Sequence, residues 1–114
     1  MPYISVKTTA AVSGEKEKAI KEKLARAMEK NLGKGESWLM ISFEDNMRVW
    51  FKGDNSAPAA MVEISIFGHA SAGAYGAMTA DVCDILSDEL SVPGDRVYVK
   101  YGECQNWGWN GGNF

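Results

Sequence analysis

Two stretches of the chain repeat the same apolar pattern at a constant separation of 58 residues. From Ile20 to Leu32, apolar residues recur three and four positions apart, which is the spacing of one buried helix face. The same pattern returns from Met78 to Leu90. The matched pairs are Ile20 with Met78, Leu24 with Val82, Ala27 with Ile85, Met28 with Leu86, and Leu32 with Leu90. The chain is therefore expected to fold as two copies of one structural unit.

Each helical stretch lies between two segments that have the character of β-strands. The segment from Pro2 to Lys7 alternates its side chains between two faces, and the segment from Met61 to Phe67 is strand-like again. The segment from Trp38 to Phe43 is apolar at nearly every position, which predicts a strand buried on both faces. In the closing strands, Val99 and Tyr101 match Ile41 and Phe43. The repeated unit is thus predicted to be β-α-β.

Small polar residues and a glycine indicate where the helices begin and end. Ser13 and Ser71 are suitable N-caps, and Gly33 suits the C-cap of the first helix. The charges between Lys16 and Lys30 alternate in sign, which is typical of the solvated face of a helix.

Two β-α-β units favour parallel pairing within each unit and right-handed crossovers. We therefore predict an α+β fold, a four-stranded mixed sheet with two helices on one face, forming a single domain over residues 1–114. The opposite face of the sheet has no remaining element to cover it. We expect that face to be apolar and to cause self-association.

The composition argues against several classes of function. The net charge is −3 with no run of like charges, so nucleic acid is not an expected partner. Cys83, Cys104 and the single His69 show no spacing typical of a metal site or a disulfide framework, and neither a metal nor a cofactor is expected. No signal peptide or membrane-spanning segment is recognisable, so we expect a cytoplasmic protein without a membrane partner, with release that needs no signal peptide as an alternative.

Pro2 is the first residue that suggests chemistry. Removal of Met1, which is usual before a small residue, would turn the Pro2 nitrogen into a secondary amine. An α-amino group titrates at about 7.7–8.0 in model peptides, and burial or a nearby cation lowers its pKa further. Such an amine is a suitable base near neutral pH, whereas with Met1 retained the same nitrogen is a non-basic amide. Most Met-Pro starts have no catalytic role, so the pattern by itself is weak.

Five short motifs occur in order over the whole chain, and together they are more specific than Pro2 alone. They are Pro2-Tyr3-Ile4, Gly33-Lys34-Gly35, Ile66-Phe67-Gly68, Asp95-Arg96-Val97-Tyr98-Val99 and Asn106-Trp107-Gly108-Trp109-Asn110-Gly111. This set resembles the macrophage migration inhibitory factor family of the tautomerase superfamily. The Asp-Arg-Val-Tyr and Gly-Trp-Asn-Gly blocks are the most specific parts of the resemblance.

The resemblance implies a homotrimer with active sites between subunits and a keto-enol tautomerase that acts on phenylpyruvate-like or dopachrome-like substrates. It implies that Pro2 is the acid and base and that Lys34 is the cation that meets the substrate. By its position alone, Lys34 would be interpreted as a cation at a helix C-terminus. The residues implied to line the pocket, several of them from the adjacent chain, are Phe67, Tyr98, Lys100, Trp107, Trp109 and Phe114.

Three departures from the family pattern bear on specificity. Lys100 stands where the mammalian cytokine-type proteins carry an amide, which would favour acidic substrates. Ala59 and Val62 stand in place of the cysteines of the mammalian Cys-x-x-Cys motif, so thiol redox activity has no basis here. Phe67 and Trp107 replace smaller aliphatic residues, which would narrow the pocket.

Three other functions are open from the sequence. One is a cytokine-like protein that binds a host receptor and keeps the pocket as a vestige. Another is decarboxylation or hydration of a small unsaturated acid, which would also use Pro2 and further cations such as Arg48 or Arg96. The third is a purely structural oligomer, which leaves the aromatic, glycine-rich carboxyl terminus unexplained. His69, with no nucleophile or ligand partner in a recognisable spacing, is expected to have a surface or capping role.

Overall fold

The computed structural model describes residues 1–114, and its elements repeat in the predicted order. The elements of the first half are β1 (Pro2–Thr8), α1 (Gly14–Leu32) and β2 (Met40–Glu44), and those of the second half are β3 (Ala60–Phe67), α2 (Ala72–Leu90) and β4 (Val97–Cys104). A 3-10 turn precedes the closing strand of each half, at Glu36–Trp38 and Gly94–Arg96. The strands β5 (Gly108–Trp109) and β6 (Gly112–Asn113) form a terminal hairpin. Because α1 and α2 both have 19 residues and start 58 positions apart, the internal duplication is confirmed.

The four main strands form one sheet in the order β2-β1-β3-β4. Each half contributes a parallel pair, and the two halves meet where β1 and β3 run antiparallel, with Ile4 opposite Ile64. The predicted mixed sheet is therefore confirmed.

The predicted caps define the helix ends. Ser13 Oγ accepts a hydrogen bond from the Lys16 amide at 3.2 Å, and Ser71 Oγ accepts one from the Ala74 amide at 3.1 Å. Gly33 ends α1 with φ of 67°, a left-handed conformation that glycine adopts without strain. In α2 the corresponding residue is Ser91, which has φ of 55°.

The core lies between the two helices and the central strands. The residues that fill it include Ile4, Val6, Ile20, Leu24, Met28, Val62, Ile64, Ile66, Met78, Val82 and Leu86. The predicted buried helix faces are confirmed, although Leu32 and Leu90 pack only at the edge of this core. Neither helix has the length and apolarity needed to cross a membrane.

The prediction of a strand over Trp38–Phe43 buried on both faces is wrong. The strand starts at Met40, and Trp38 belongs to the preceding 3-10 turn. Ile41 and Phe43 pack against the core, whereas 66% of the Met40 surface is exposed. The reason is that the helices cover only one face of the sheet, so alternate side chains of the edge strand β2 point away from them.

The face of the sheet opposite the helices is also more polar than we expected. The register places three rows of residues across it. These rows are Met40, Tyr3, Ser65 and Gly102, then Ser42, Ser5, Glu63 and Lys100, and then Glu44, Lys7, Met61 and Tyr98. Because the apolar residues of these strands alternate with polar ones, the apolar set faces the helices. Burial of a large apolar face is thus not a reason for this chain to self-associate.

Candidate active site at the amino terminus

Pro2 lies at the start of a central strand and is buried. Its register partner on β3 is Ile66, and the next residue of β3, Phe67, contacts the terminus through the backbone. The Phe67 amide donates a 2.9 Å hydrogen bond to the carbonyl oxygen of Met1. The amino terminus is therefore held against the end of the sheet.

Lys34 reaches the same place from the end of α1. The left-handed turn at Gly33 ends the helix, and the Lys34 ammonium donates a 3.2 Å hydrogen bond to the Phe67 carbonyl oxygen. Burial lowers the pKa of the terminal amine on Met1, and the nearby Lys34 charge lowers it further. The predicted association of Lys34 with the amino terminus is thus a feature of the structure.

The carboxyl-terminal hairpin supplies an aromatic wall. Its tight turn uses Asn110 and Gly111, both with positive φ, and the Phe114 amide donates to the Trp107 carbonyl oxygen at 3.0 Å. The Trp109 and Trp38 rings meet edge to face at 4.9 Å between centroids. The centroid of the Phe114 ring lies about 6 Å from the ring centroids of Trp38, Trp109 and Phe67.

The largest cavity of the chain, about 570 Å³, opens beside the amino terminus. This volume is in the range of small-molecule sites. Its lining is mostly apolar and comes from both ends of the chain and from β2 and β3. The lining residues are Met1, Pro2, Tyr3, Trp38, Met40, Ser42, Ser65, Cys104, Trp107, Gly108 and Trp109.

Six of the residues singled out in the sequence therefore gather at one end of the sheet, and two do not. The six are Pro2, Lys34, Phe67, Trp107, Trp109 and Phe114. Tyr98 is in register with Met61, which lies opposite Lys7, roughly 17 Å along β1 from Pro2. Lys100 lies two residues further along β4 and closer to Pro2, in register with Glu63. Neither residue lines the Pro2 cavity of its own chain.

Several cavity residues are not evident from the sequence. Trp38 looks like a strand residue, and Cys104 looks like an isolated thiol. Tyr3, Ser42 and Ser65 are ordinary strand positions that converge only once the register is known. Signals were available for Tyr3, which is part of the Pro2-Tyr3-Ile4 motif, and for Trp38, which closely follows the Gly33-Lys34-Gly35 motif.

His69 lies outside the cavity, beside the start of α2. Its Nδ1 is 2.9 Å from Glu103 Oε2, which also accepts hydrogen bonds from the Tyr75 hydroxyl at 2.6 Å and the Ala70 amide at 3.3 Å. These hydrogen bonds lower the pKa of Glu103. Burial, together with the Glu103 carboxylate, raises the pKa of Tyr75 to about 12. The cluster ties α2 to the end of β4, in keeping with the surface or capping role expected for His69.

Comparison with known proteins agrees with this geometry. The family model described as macrophage migration inhibitory factor matches residues 1–114. Macrophage migration inhibitory factor of Xenopus laevis is 27% identical over 100% of this chain and 99% of its own length. The crystal structure of Leishmania major MIF2 is 28% identical and superposes with a TM-score of 0.94, covering 100% of this chain and 97% of that one.

A more distant structure, of Pt0534 inactivated by 2-oxo-3-pentynoate, shares the fold with a TM-score of 0.81 at 19% identity, covering 96% of this chain and 93% of that one. The family model matches every residue of the chain, and the relatives and solved structures agree with that assignment. The chain belongs to the macrophage migration inhibitory factor family and has the fold of the tautomerase superfamily, whose enzymes are of the isomerase type.

Proposed function

We propose that the chain, after removal of Met1, is a keto-enol tautomerase for aromatic 2-oxo acids such as phenylpyruvate, with Pro2 as its acid and base. One observation carries the proposal. The amino terminus enters a cavity of about 570 Å³ with aromatic walls, where burial and the Lys34 cation lower the pKa of the amine on Met1, one residue before Pro2. A neutral amine at physiological pH is the group that proton abstraction requires.

The reaction transfers one proton by way of the Pro2 nitrogen. The nitrogen removes a proton from the carbon next to the keto group, and the electron pair left behind moves onto the keto oxygen to form an enolate. The protonated Pro2 then gives its proton to that oxygen, which yields the enol and restores the free amine. Lys34 stabilises the negative charge that develops on the oxygen, or holds the carboxylate in place. The walls formed by Trp38, Trp107 and Trp109 exclude water and strengthen this attraction.

The proposal includes a homotrimer in which Tyr98 and Lys100 line the pocket of a neighbouring subunit. Two observations support it. The outer edges of β2 and β4 are unpaired, which leaves their backbone groups free to bind another chain. Tyr98 is 61% exposed and lies far from its own Pro2, so any contact it makes with a substrate requires a second copy. Lys100 would add a second cation for acidic substrates.

The decisive experiment measures the enol conversion of phenylpyruvate by wild type, by Pro2→Gly and by a chain with one extra residue before Pro2. Intact mass first establishes that Met1 is absent from the wild-type protein. We expect both variants to lose roughly 10²- to 10⁴-fold in kcat/KM while the oligomer stays intact. Unchanged turnover in Pro2→Gly would overturn the proposal.

A chemical probe tests the same point independently of turnover. 2-Oxo-3-pentynoate, which inactivated the fold relative Pt0534, has an electron-poor alkyne to which a free amine can add. We expect one adduct with the mass of the reagent on the peptide that begins at Pro2, and none on Pro2 of the extended chain, where its nitrogen is an amide. Negligible turnover of any 2-oxo acid, with host receptor binding that survives Pro2→Gly, would instead favour the cytokine-like role that the names of the relatives suggest.

A further inference from the structure

A groove of about 240 Å³ runs between α1 and α2, on the side of the molecule away from the open face of the sheet. Most of the residues that line it are charged, and the two signs are separated. The positive residues all come from α1 and the negative ones all come from α2. They are Lys23, Arg26 and Lys30 on α1, and Asp81, Asp84 and Asp88 on α2. The groove therefore has one basic wall and one acidic wall.

The internal duplication relates the two walls residue by residue. The separation of 58 residues that matches the apolar positions of the helices also matches each basic residue of the groove with an acidic one. The matched pairs are Lys23 with Asp81, Arg26 with Asp84, and Lys30 with Asp88. Each helix runs opposite to the parallel strands of its own half, and the halves meet antiparallel, so α1 and α2 are antiparallel to each other. The groove thus lies on an approximate two-fold axis that exchanges positive for negative charge.

Pairing within the chain uses only part of this charge. Lys30 Nζ lies 2.8 Å from Asp81 Oδ2, and this is the one ion pair between the two walls. The Lys23 ammonium is bound to Glu89, which is not part of the groove, at 2.6 Å. The two walls are therefore not neutralised by each other.

The remaining charges of the groove are exposed and have no partner. Neither Arg26 nor the carboxylates of Asp84 and Asp88 have an oppositely charged group within 4.0 Å. Asp84 and Asp88 also stand four residues apart on one helix, as Arg26 and Lys30 do on the other, and like charges at this spacing destabilise a helix. A partner that brings the opposite charge to each wall would relieve both repulsions.

A second copy of this chain is such a partner. When two copies face each other across a two-fold axis parallel to the helices, the basic wall of each copy lies against the acidic wall of the other. A two-fold axis across the helices would instead oppose like charges. Because Lys30 is level with Asp81 in antiparallel helices, Arg26, one turn back, is level with Asp84, one turn on. In the first arrangement Arg26 of each copy therefore meets Asp84 of the other.

We propose that this groove is an interface at which a second copy of the chain docks face to face, with the basic wall of each copy against the acidic wall of the other. The interface is formed by the helices, whereas the trimer proposed above uses the edges of the sheet, so one assembly can contain both. The inference does not depend on the proposed function. Because exposed ion pairs each contribute little and are screened by salt, the association is weak and sensitive to ionic strength.

Sedimentation velocity over a range of protein concentrations tests the interface. At about 20 mM salt we expect the mass of the wild-type particle to double from its value at low concentration, and at about 300 mM salt we expect no doubling. Arg26→Glu places like charges together at both symmetry-related contacts, and we expect it to weaken the association at least roughly tenfold. Lys18→Glu is the matched control, since it changes the net charge equally on the side of α1 that faces β2.

A charge swap distinguishes docking at this groove from a general effect of charge. Arg26→Glu combined with Asp84→Arg restores opposite charges at both contacts, so we expect doubling at low salt to return. Both side chains are exposed and unpaired within the chain, and circular dichroism checks that the variants fold. A constant mass in wild type at low salt would overturn the proposal and leave the groove to a different kind of partner. Doubling that persists in Arg26→Glu, or that the swap fails to restore, would overturn it as well.

Discussion

Lys34 donates a 3.2 Å hydrogen bond to the carbonyl oxygen of Phe67. The amide of the same Phe67 donates to the carbonyl oxygen of Met1, so one residue of β3 holds both the cation and the amino terminus. With Met1 present, one backbone segment of the sheet thus positions both the Lys34 ammonium and the terminal amine. Removal of Met1 takes away that carbonyl oxygen, and the pairing of Pro2 with Ile66 then keeps Pro2 next to Phe67, the residue that binds Lys34.

Replacing Lys34 by Gln should change the pH dependence of the reaction. A cation lowers the pKa of a neighbouring amine, so its removal raises that pKa. We expect the acid limb of the kcat/KM profile for phenylpyruvate to move to higher pH. On the alkaline plateau, a further loss of roughly 100-fold would reflect lost stabilisation of the enolate. Lys18→Gln, a substitution on the exposed side of α1, is the control, and an unshifted acid limb in Lys34→Gln would contradict the prediction.

Mixed oligomers test whether Tyr98 serves a neighbouring pocket. Pro2→Gly and Tyr98→Ala homo-oligomers should each have little activity. If an active site combines Pro2 of one chain with Tyr98 of the next, random mixing in equal amounts restores about one quarter of the sites. The measurement is phenylpyruvate turnover after the two variants are unfolded and refolded together. No recovery would mean that the two residues act in the same chain, whereas full activity of the Tyr98→Ala homo-oligomer would mean that Tyr98 is not part of a site.

Arg96 should contribute strongly to stability. Its guanidinium donates to the carbonyl oxygens of four residues in the loop before β3, and only 12% of its side chain is exposed. The acceptors are Phe51, Asp54, Ala57 and Pro58. Arg96→Met removes the only donor to the carbonyls of Ala57 and Pro58, whereas Phe51 and Asp54 still accept from each other's amides, and we expect a loss of about 2–4 kcal/mol in urea unfolding.

The exposed Arg48 supplies the control for this measurement, since Arg48→Met should change the free energy of unfolding by less than about 0.5 kcal/mol. The same loop is held by a second contact, because the ring of Phe51 packs edge-on against that of Tyr98 at 5.0 Å between centroids. Equal stabilities for the two variants would show that the loop does not depend on Arg96.

Glu103 should make stability depend on pH in the acid range. Hydrogen bonds from Tyr75 and the Ala70 amide lower its pKa in the folded state below the ordinary value of 4.5. A carboxyl group with a depressed pKa stabilises the fold above its unfolded pKa, and that contribution is lost as the pH falls through the folded value. We expect the drop in Tm between about pH 6 and pH 3 to be smaller in Glu103→Gln than in wild type. Glu22→Gln, on the exposed side of α1, should show the wild-type drop.

Local patterns anticipated most of the elements. The helix faces from Ile20 to Leu32 and from Met78 to Leu90 follow from the 3.6-residue period, and the caps at Ser13, Gly33 and Ser71 follow from the chemistry of side chains at helix ends. The prediction failed where the position of a segment in the sheet, rather than its composition, decides how far it is buried. The strand at Trp38–Phe43 is apolar enough for burial on both faces, but it occupies an edge of a sheet that has helices on one face only.

The residues of the candidate site also fall into two groups, those that the sequence made recognisable and those that it did not. Pro2, Lys34 and the aromatic carboxyl terminus were recognisable because each belongs to a motif that is continuous in sequence. Ser42, Ser65 and Cys104 were not, because they share the cavity only through strand pairing across long separations in the chain. A one-residue change in the register of β2 would turn Ser42 to the other face.

The amino-acid sequence by itself determined the duplicated β-α-β unit, the helix limits and the presence of a proline that can become a terminal amine. These properties depend on the spacing of residues within short segments, and such spacing is a local quantity. Only the tertiary structure decided that Phe67 holds both Lys34 and the terminus, that the open face of the sheet carries many polar side chains, and that Tyr98 lies far along the sheet from its own Pro2. Those relationships depend on strand order and register, which are set by packing the two halves around one core.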